Sequence, residues 1–118
     1  MKIVVGGCRD FFDYSVVSHN LDELLKDYDS NDPIVLLSGH CSGVDQLTER
    51  YAKERCHSLM LFPAEWDRYG RAAGPIRNQA MVKMSDQVIA FWDGKSRGTA
   101  SLIRYAQKLG KPITVVKI

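Results

Sequence analysis

Five short β-type runs punctuate the chain: Lys2–Gly6, Pro33–Leu37, Ser58–Phe62, Gln87–Trp92 and Ile113–Lys117. Four of them are bare apolar runs, with no alternation of apolar and polar positions in Ile3-Val4-Val5 or Ile34-Val35-Leu36-Leu37. A strand has this pattern when both of its faces are buried, which points to a parallel sheet covered by helices. Between the runs, apolar residues recur at helical spacing: Val17, Leu21, Leu24, Leu25 and Tyr28; then Val44, Leu47, Tyr51 and Ala52; then Leu102, Ile103, Ala106 and Leu109. A shorter helix is predicted from Pro75 to Met84, since proline suits a first helical turn. Gly110 followed by Pro112 closes the last helix and opens the last strand.

The order is therefore β-α-β-α-β-α-β-α-β. Strict alternation predicts an α/β fold, a three-layer Rossmann-like open parallel sheet of five strands with helices on both faces. The 118 residues suit one domain, 1–118, and suffice for a core without disulfide or metal staples. Hydrophobic residues make up 45% and charged residues 25%, which argues against disorder and coiled coil. No apolar run approaches the ~18 residues of a bilayer span, and the start of the chain lacks the pattern of a signal peptide. The expected location is cytoplasmic, or inside a host cell, with no membrane partner. Cys8, Cys41 and Cys56 are odd in number and form no C-x-x-C pair, which fits reduced thiols.

In a parallel sheet the loops after the strands meet at one edge, where ligands bind. Here they read Gly6-Gly7-Cys8-Arg9-Asp10, Ser38-Gly39-His40-Cys41-Ser42-Gly43, a long segment from Pro63 to Gly74, and Asp93-Gly94-Lys95-Ser96-Arg97-Gly98-Thr99. Eight of the nine glycines lie in these four loops. Glycine lets backbone N–H groups approach an anion, and a helix that follows directly adds its free N–H groups and positive dipole end. The expectation is a phosphate site on Ser38–Gly43 and Gly94–Thr99. Neither the dinucleotide fingerprint Gly-x-Gly-x-x-Gly nor the complete P-loop pattern Gly-x-x-x-x-Gly-Lys-Ser/Thr is present, since Gly94-Lys95-Ser96 has Ile89 where the first glycine would stand, which disfavours a dehydrogenase or an NTPase.

Across segments 6–13, 38–45, 63–77 and 93–99 there are six basic and six acidic residues, and the whole chain carries +2. This balance suits a small ligand with phosphate at one end and hydroxyls at the other. On the same ground a nucleic-acid partner is disfavoured.

Gly6-Gly7-Cys8-Arg9-Asp10-Phe11, Ser38-Gly39-His40-Cys41-Ser42-Gly43-Val44-Asp45, Phe62-Pro63-Ala64-Glu65-Trp66, Ala73-Gly74-Pro75-Ile76-Arg77-Asn78-Gln79-Ala80-Met81 and the 93–99 loop together resemble the SLOG superfamily. This is the Rossmann-like group that includes LOG enzymes and DprA; the resemblance is strongest to its small stand-alone YspA-type (CpYpsA-related) domains. It implies binding of a nucleotide or nucleotide-derived ligand, including ADP-ribose-like molecules, as a sensing or processing domain. It is compatible with a phage or bacterial source. LOG-type members cleave the N-glycosidic bond of nucleoside monophosphates, but their catalytic glutamate falls here on Leu102. LOG-type members also pair through helices, so the resemblance implies that a homodimer is open to this chain.

Taken singly, the residues keep alternatives open. Arg77 and Asn78 sit in the first turn of the predicted helix and join the binding set, and Arg77 could reach a phosphate bidentately or be a surface arginine. Arg9 could clamp phosphate or pair with Asp10. Gly7, Gly39, Gly43, Gly94 and Gly98 would line the phosphate with backbone, and Ser38, Ser42, Ser96 and Thr99 would add hydroxyls or cap helices. Asp93 joins the binding set. Asp45 lies three residues after Ser42, a capping-box spacing, and could instead bond a ribose hydroxyl or act as acid or base with Asp10 or Glu65. Trp66 and Tyr69 could stack on a base or pack the long loop down, while Trp92 belongs to the core. Cys8, His40 and Cys41 lack metal-ligand spacing, so no metal and no cofactor are expected. The leading expectation is a binder of nucleotide-derived ligands. An N-glycosidase and a DprA-like binder of single-stranded DNA are the alternatives.

Overall fold

The computed structural model describes residues 1–28 and 32–118. Five parallel strands, β1 (Lys2–Gly7), β2 (Val35–Ser38), β3 (Ser58–Leu61), β4 (Gln87–Trp92) and β5 (Ile113–Lys117), form one sheet in the order β3-β2-β1-β4-β5. Five α-helices connect them: α1 (Tyr14–Leu25), α2 (Val44–Glu54), α3 (Trp66–Tyr69), α4 (Ala73–Met84) and α5 (Arg97–Lys108). The α/β Rossmann-like class read from the strand pattern is the class observed.

Period-two alternation splits the core. Ile3 and Val5 of β1, Leu36 of β2, and Ile89 and Phe91 of β4 face α1 and α2, meeting Val17, Leu21, Val44 and Tyr51. Val4, Leu37 and Val88 face the other way, onto Met81 and Val82 of α4 and Leu102 and Ala106 of α5. The three inner strands are thus buried on both faces, which is why they lack polar alternation. The two edge strands are not. Ser58 and Leu61 of β3 are exposed, and Val115 of β5 is 46% exposed.

The segment from Pro63 to Gly74 is more ordered than a loop. It forms α3 and a 3₁₀ turn, Gly70–Ala72, that runs straight into α4. Consequently α4 begins at Ala73, two residues before Pro75. Pro75 still occupies the first turn, where its missing N–H is harmless. Arg77 moves out of that turn.

Two glycines are steric requirements. Gly7 pairs with Phe91 in the β1–β4 ladder, and a Cβ there would lie 2.6 Å from the Phe91 carbonyl oxygen and 2.8 Å from Val44 Cγ2. Gly43 caps α2 at φ 74° and ψ −130°, a conformation open in practice only to glycine, and a Cβ there would lie 2.3 Å from the Cys8 carbonyl oxygen. Gly43 also lets Val44 N donate to that carbonyl at 3.1 Å, tying the start of α2 to the end of β1. Gly43→Ala is expected to lower stability by about 2–4 kcal/mol in urea denaturation, through strain plus overpacking. A loss within error of zero would show that this junction is not tight.

Candidate functional site

In the order β3-β2-β1-β4-β5 the helices after β1 and β2 cover one face, and those before and after β4 cover the other. The loops leaving β1 and β4 therefore diverge, and a crevice opens between them at the carboxyl edge. A cleft of about 640 Å³ occupies this point. Gly6, Gly7, Arg9 and Asp10 contribute from β1; Asp93, Lys95, Ser96, Gly98, Thr99 and Leu102 from β4 and α5; Cys41 and Asp45 from the β2–α2 junction; and Arg77, Asn78 and Met81 from α4.

The α5 wall is built around its helix start. Ser96 is the N-cap: its side chain accepts from Thr99 N at 3.5 Å and lies 3.1 Å from Thr99 Oγ1. The Asp93 carboxylate accepts from Lys95 N and Ser96 N, both at 2.8 Å. These two N–H groups hold its carboxyl below the usual carboxylate range. Asp93 thus folds its own loop, while the N–H groups of Arg97 and Gly98 in the first turn remain open to an anion. Gly94, at φ 84°, makes the turn and does not line the cleft.

The opposite wall hangs on Arg77. Its Nη1 donates to Gly39 O at 2.6 Å and to Phe62 O at 3.5 Å, and lies 3.6 Å from Cys41 Sγ. Its Nε donates to Asn78 Oδ1 at 2.9 Å, and Asn78 Nδ2 reaches Gly98 O at 3.4 Å. The expected bidentate phosphate fork is therefore occupied by protein carbonyls. What Arg77 can still offer the cleft is its Nη2 edge. Because α4 starts at Ala73, Arg77 also lies beyond the helix N-terminus on which the clamp argument leaned. Arg77→Ala would orphan the Gly39 and Phe62 carbonyls, so a stability loss of about 2–3 kcal/mol is expected in urea melts. An unchanged midpoint would return Arg77 to the role of a free clamp.

The β2–α2 loop has a different internal logic from the one its spacing suggests. Ser38 is fully buried. Its Oγ donates to Glu49 Oε2 at 3.1 Å and accepts from His40 N at 3.2 Å, so it is not available to phosphate. His40, at φ 58°, sets its Nδ1 3.1 Å from Glu49. Ser42 Oγ donates to Arg9 O at 3.0 Å, and Gly43 rather than Ser42 caps α2. No capping box forms. Ser42, Gly39 and Gly43 hold the loop without lining the cleft. Asp45 does line it, 7% exposed, with Oδ2 accepting from Cys41 N at 3.2 Å.

Burial pushes the Asp45 carboxyl up to about 6 from a usual 3.8, with Glu49 adding to the rise and the Cys41 N–H, Arg77 and Arg9 opposing it. Between these values the folded chain holds a proton that the unfolded chain releases. The Asp45 contribution to stability is therefore fullest below about pH 4 and is lost as pH rises toward 6. Asp45→Asn should flatten this slope. The stability of the variant relative to wild type should rise across that window by up to about 3 kcal/mol in pH-stepped urea titrations. A constant difference would show that Asp45 titrates normally.

The remaining predicted residues stand at or beyond the rim. Arg9 lines the cleft, its guanidinium 5.6 Å from the Trp66 ring centroid. The Trp66 ring also lies over Gly74, where a Cβ would be 3.4 Å from it, yet it stays 48% exposed. Tyr69 is covered by Arg68 at 5.0 Å. Glu65 sits outside the cleft, 3.8 Å from Arg68, so it is not joined with Asp10 and Asp45. Leu102, at the LOG glutamate position, lies on the cleft floor under Gly6, where a Cβ would come within 2.7 Å of it. Sequence reasoning missed Cys41 and Lys95 as cleft residues. Lys95 is one of the six loop cations, and a sum of charge does not single it out from the rest. Among the described residues no group of three or more His, Cys, Asp or Glu gathers to hold a metal, and no helix is long and apolar enough to cross a membrane.

A switch-point cleft walled by these loops defines a Rossmann-like chain. Residues 1–69 match the family described as YspA, cpYpsA-related SLOG, and the chain belongs to that family. It is 33% identical over 119 residues to the gene 61 protein of Mycobacterium phage D29, an alignment that covers 95% of this chain and 93% of that protein. Among solved structures it is similar to DNA processing protein A from Helicobacter pylori, with TM-score 0.68, 22% identity and 98% of this chain covered. The chain spans 64% of the length of that structure, whose published subject is a single-stranded DNA binding mode. It is also similar to the protein TM1055, with TM-score 0.66 and 19% identity over 95% of this chain and 71% of the other. At these identities the likeness is one of fold.

The DNA processing protein A finding corrects one expectation. An even charge count does not disfavour a nucleic-acid partner, since a protein of this fold has a single-stranded DNA binding mode. The physical reason is that the count weighed every charge equally. Several are engaged locally: Asp13 caps α1, Asp93 caps its own turn, and Arg77 holds carbonyls.

Proposed function

We propose that residues 1–118 act as one unit that binds a nucleotide or nucleotide-derived small ligand, an ADP-ribose-like molecule or a nucleoside phosphate, in the switch-point cleft. The observation that carries this reading is the start of α5 opening into that cleft beside Lys95, with a second cation, Arg9, lining the same cleft from the β1 loop. Phosphate would be held by the free N–H groups of Arg97 and Gly98, with the hydroxyls of Ser96 and Thr99 close by. The exposed face of Trp66, beside Arg9, suits a base at the rim. The role is one of sensing or processing. Leu102 on the floor supports binding over LOG-type hydrolysis, because an alkyl side chain cannot stabilise charge that develops at the sugar.

The single-stranded DNA binding mode of the Helicobacter pylori DNA processing protein A supports a second reading, single-stranded DNA in the same cleft. Calorimetry with AMP, ADP-ribose and a short oligothymidylate separates the two. The expected result is saturable binding of AMP or ADP-ribose that weakens about 10- to 100-fold in Lys95→Ala, as for loss of a hydrogen bond to a charged group. Oligonucleotide binding with a steep salt slope, and none of either small ligand, would replace the small-ligand reading with the DNA one.

A further inference from the structure

Asp45 differs from every other acceptor in the cleft. Its carboxylate is 7% exposed, and Oδ2 is held by the Cys41 N–H at 3.2 Å. Oδ1 has no hydrogen-bond partner among the described residues, yet no buried polar side-chain atom is sealed off unsatisfied, so Oδ1 keeps some exposure on a residue that lines the cleft. The other acidic groups there have no such need. Asp93 is turned onto its own loop, and Asp10 is exposed and solvated. A carboxylate oxygen withdrawn from bulk water and lacking a donor gains most from a ligand O–H.

Charge fixes which part of a ligand meets it. Arg77 and Arg9 are near enough to favour the ionised Asp45, but an anionic phosphate in direct contact with its carboxylate would still set two negative charges together in a partly buried space. The phosphate belongs at the α5 start, with Lys95, Ser96 and the open N–H groups. A neutral group that donates hydrogen bonds belongs at Asp45. In a nucleotide that group is the sugar, whose vicinal hydroxyls can both donate to one carboxylate.

We propose that Asp45 makes this cleft selective for ribonucleotide ligands, its Oδ1 accepting from a 2′- or 3′-hydroxyl of the ribose. The inference rests on the reading that the cleft takes a nucleotide-derived ligand. It goes further, because it names the sugar and the residue that reads it. A site built to receive a hydroxyl rejects the analogue that lacks it, since the protein group is then left unpaired.

The test is calorimetry on the wild-type chain with AMP, 2′-deoxy-AMP and 3′-deoxy-AMP, repeated with Asp45→Asn. Removing the hydroxyl that Asp45 receives should weaken binding by about tenfold or more, and the Asn variant should lose most of that discrimination. Thermal melting checks that the variant folds, and Asp45→Ser replaces it if it does not. Equal wild-type affinity for all three nucleotides overturns the inference but leaves the small-ligand reading standing. Discrimination that survives in a folded Asp45 variant overturns it as well. No binding by any of the three, nor by ADP-ribose, overturns both.

Discussion

The approach of α2 and α5 to the carboxyl end of β1 sets the geometry of the whole ligand edge. Val44 comes down on Gly7 from one face and Leu102 on Gly6 from the other, at distances where any Cβ would collide. This close approach depends on the absence of two side chains. It brings the start of α2, with Asp45 in its first turn, and the start of α5, with Ser96 as its cap, to opposite sides of one strand end. Bulk at Gly7 would meet the Phe91 backbone and the Cβ of Val44, so α2 would have to move; at Gly6 it would displace the end of the Leu102 side chain.

The wall made by the β2–α2 loop depends in turn on groups that look functional in isolation. Glu49 holds Ser38 and His40, the Cys41 N–H holds Asp45, and Arg77 reaches across from α4 to the carbonyls of Gly39 and Phe62. Buried carbonyls and hydroxyls must be paired, and a loop with few regular hydrogen bonds takes its partners from side chains. This explains why Ser38 and Arg77, plausible phosphate ligands by residue type, serve largely as internal braces. It also explains why Asp45, with one oxygen braced and one open, stands out from them.

The fold was largely legible in the sequence because burial on both faces removes polar alternation, and β1, β2 and β4 carry that mark. Helix boundaries were less legible. The residues before Pro75 offer no cap, since Ala72 precedes α4 without a side-chain hydrogen bond, so the start at Ala73 leaves no local signal. The site was legible as a set of loops and illegible as a set of contacts. The Ser42–Asp45 spacing fits a capping box, but Gly43 takes the cap because only glycine tolerates the backbone needed to pass under Cys8. Spacing records which residues can meet, and tertiary packing decides which of them do.

Charge carries the same lesson into function. A loop carboxylate that caps its own turn, as Asp93 does, presents little net field outward, because its partners are the N–H dipoles beside it. A guanidinium bonded to carbonyls, as in Arg77, keeps its charge but presents fewer donors. What a ligand meets is the remainder: Lys95 with the start of α5 in one wall, and Asp45, with one oxygen unbonded and Arg9 nearby, in the wall beside the β2–α2 loop. That remainder is polar in direction even though the edge is neutral in sum. A neutral edge of this kind can orient a ligand that carries its negative charge at one end, because orientation depends on where the unengaged charges stand and not on their sum.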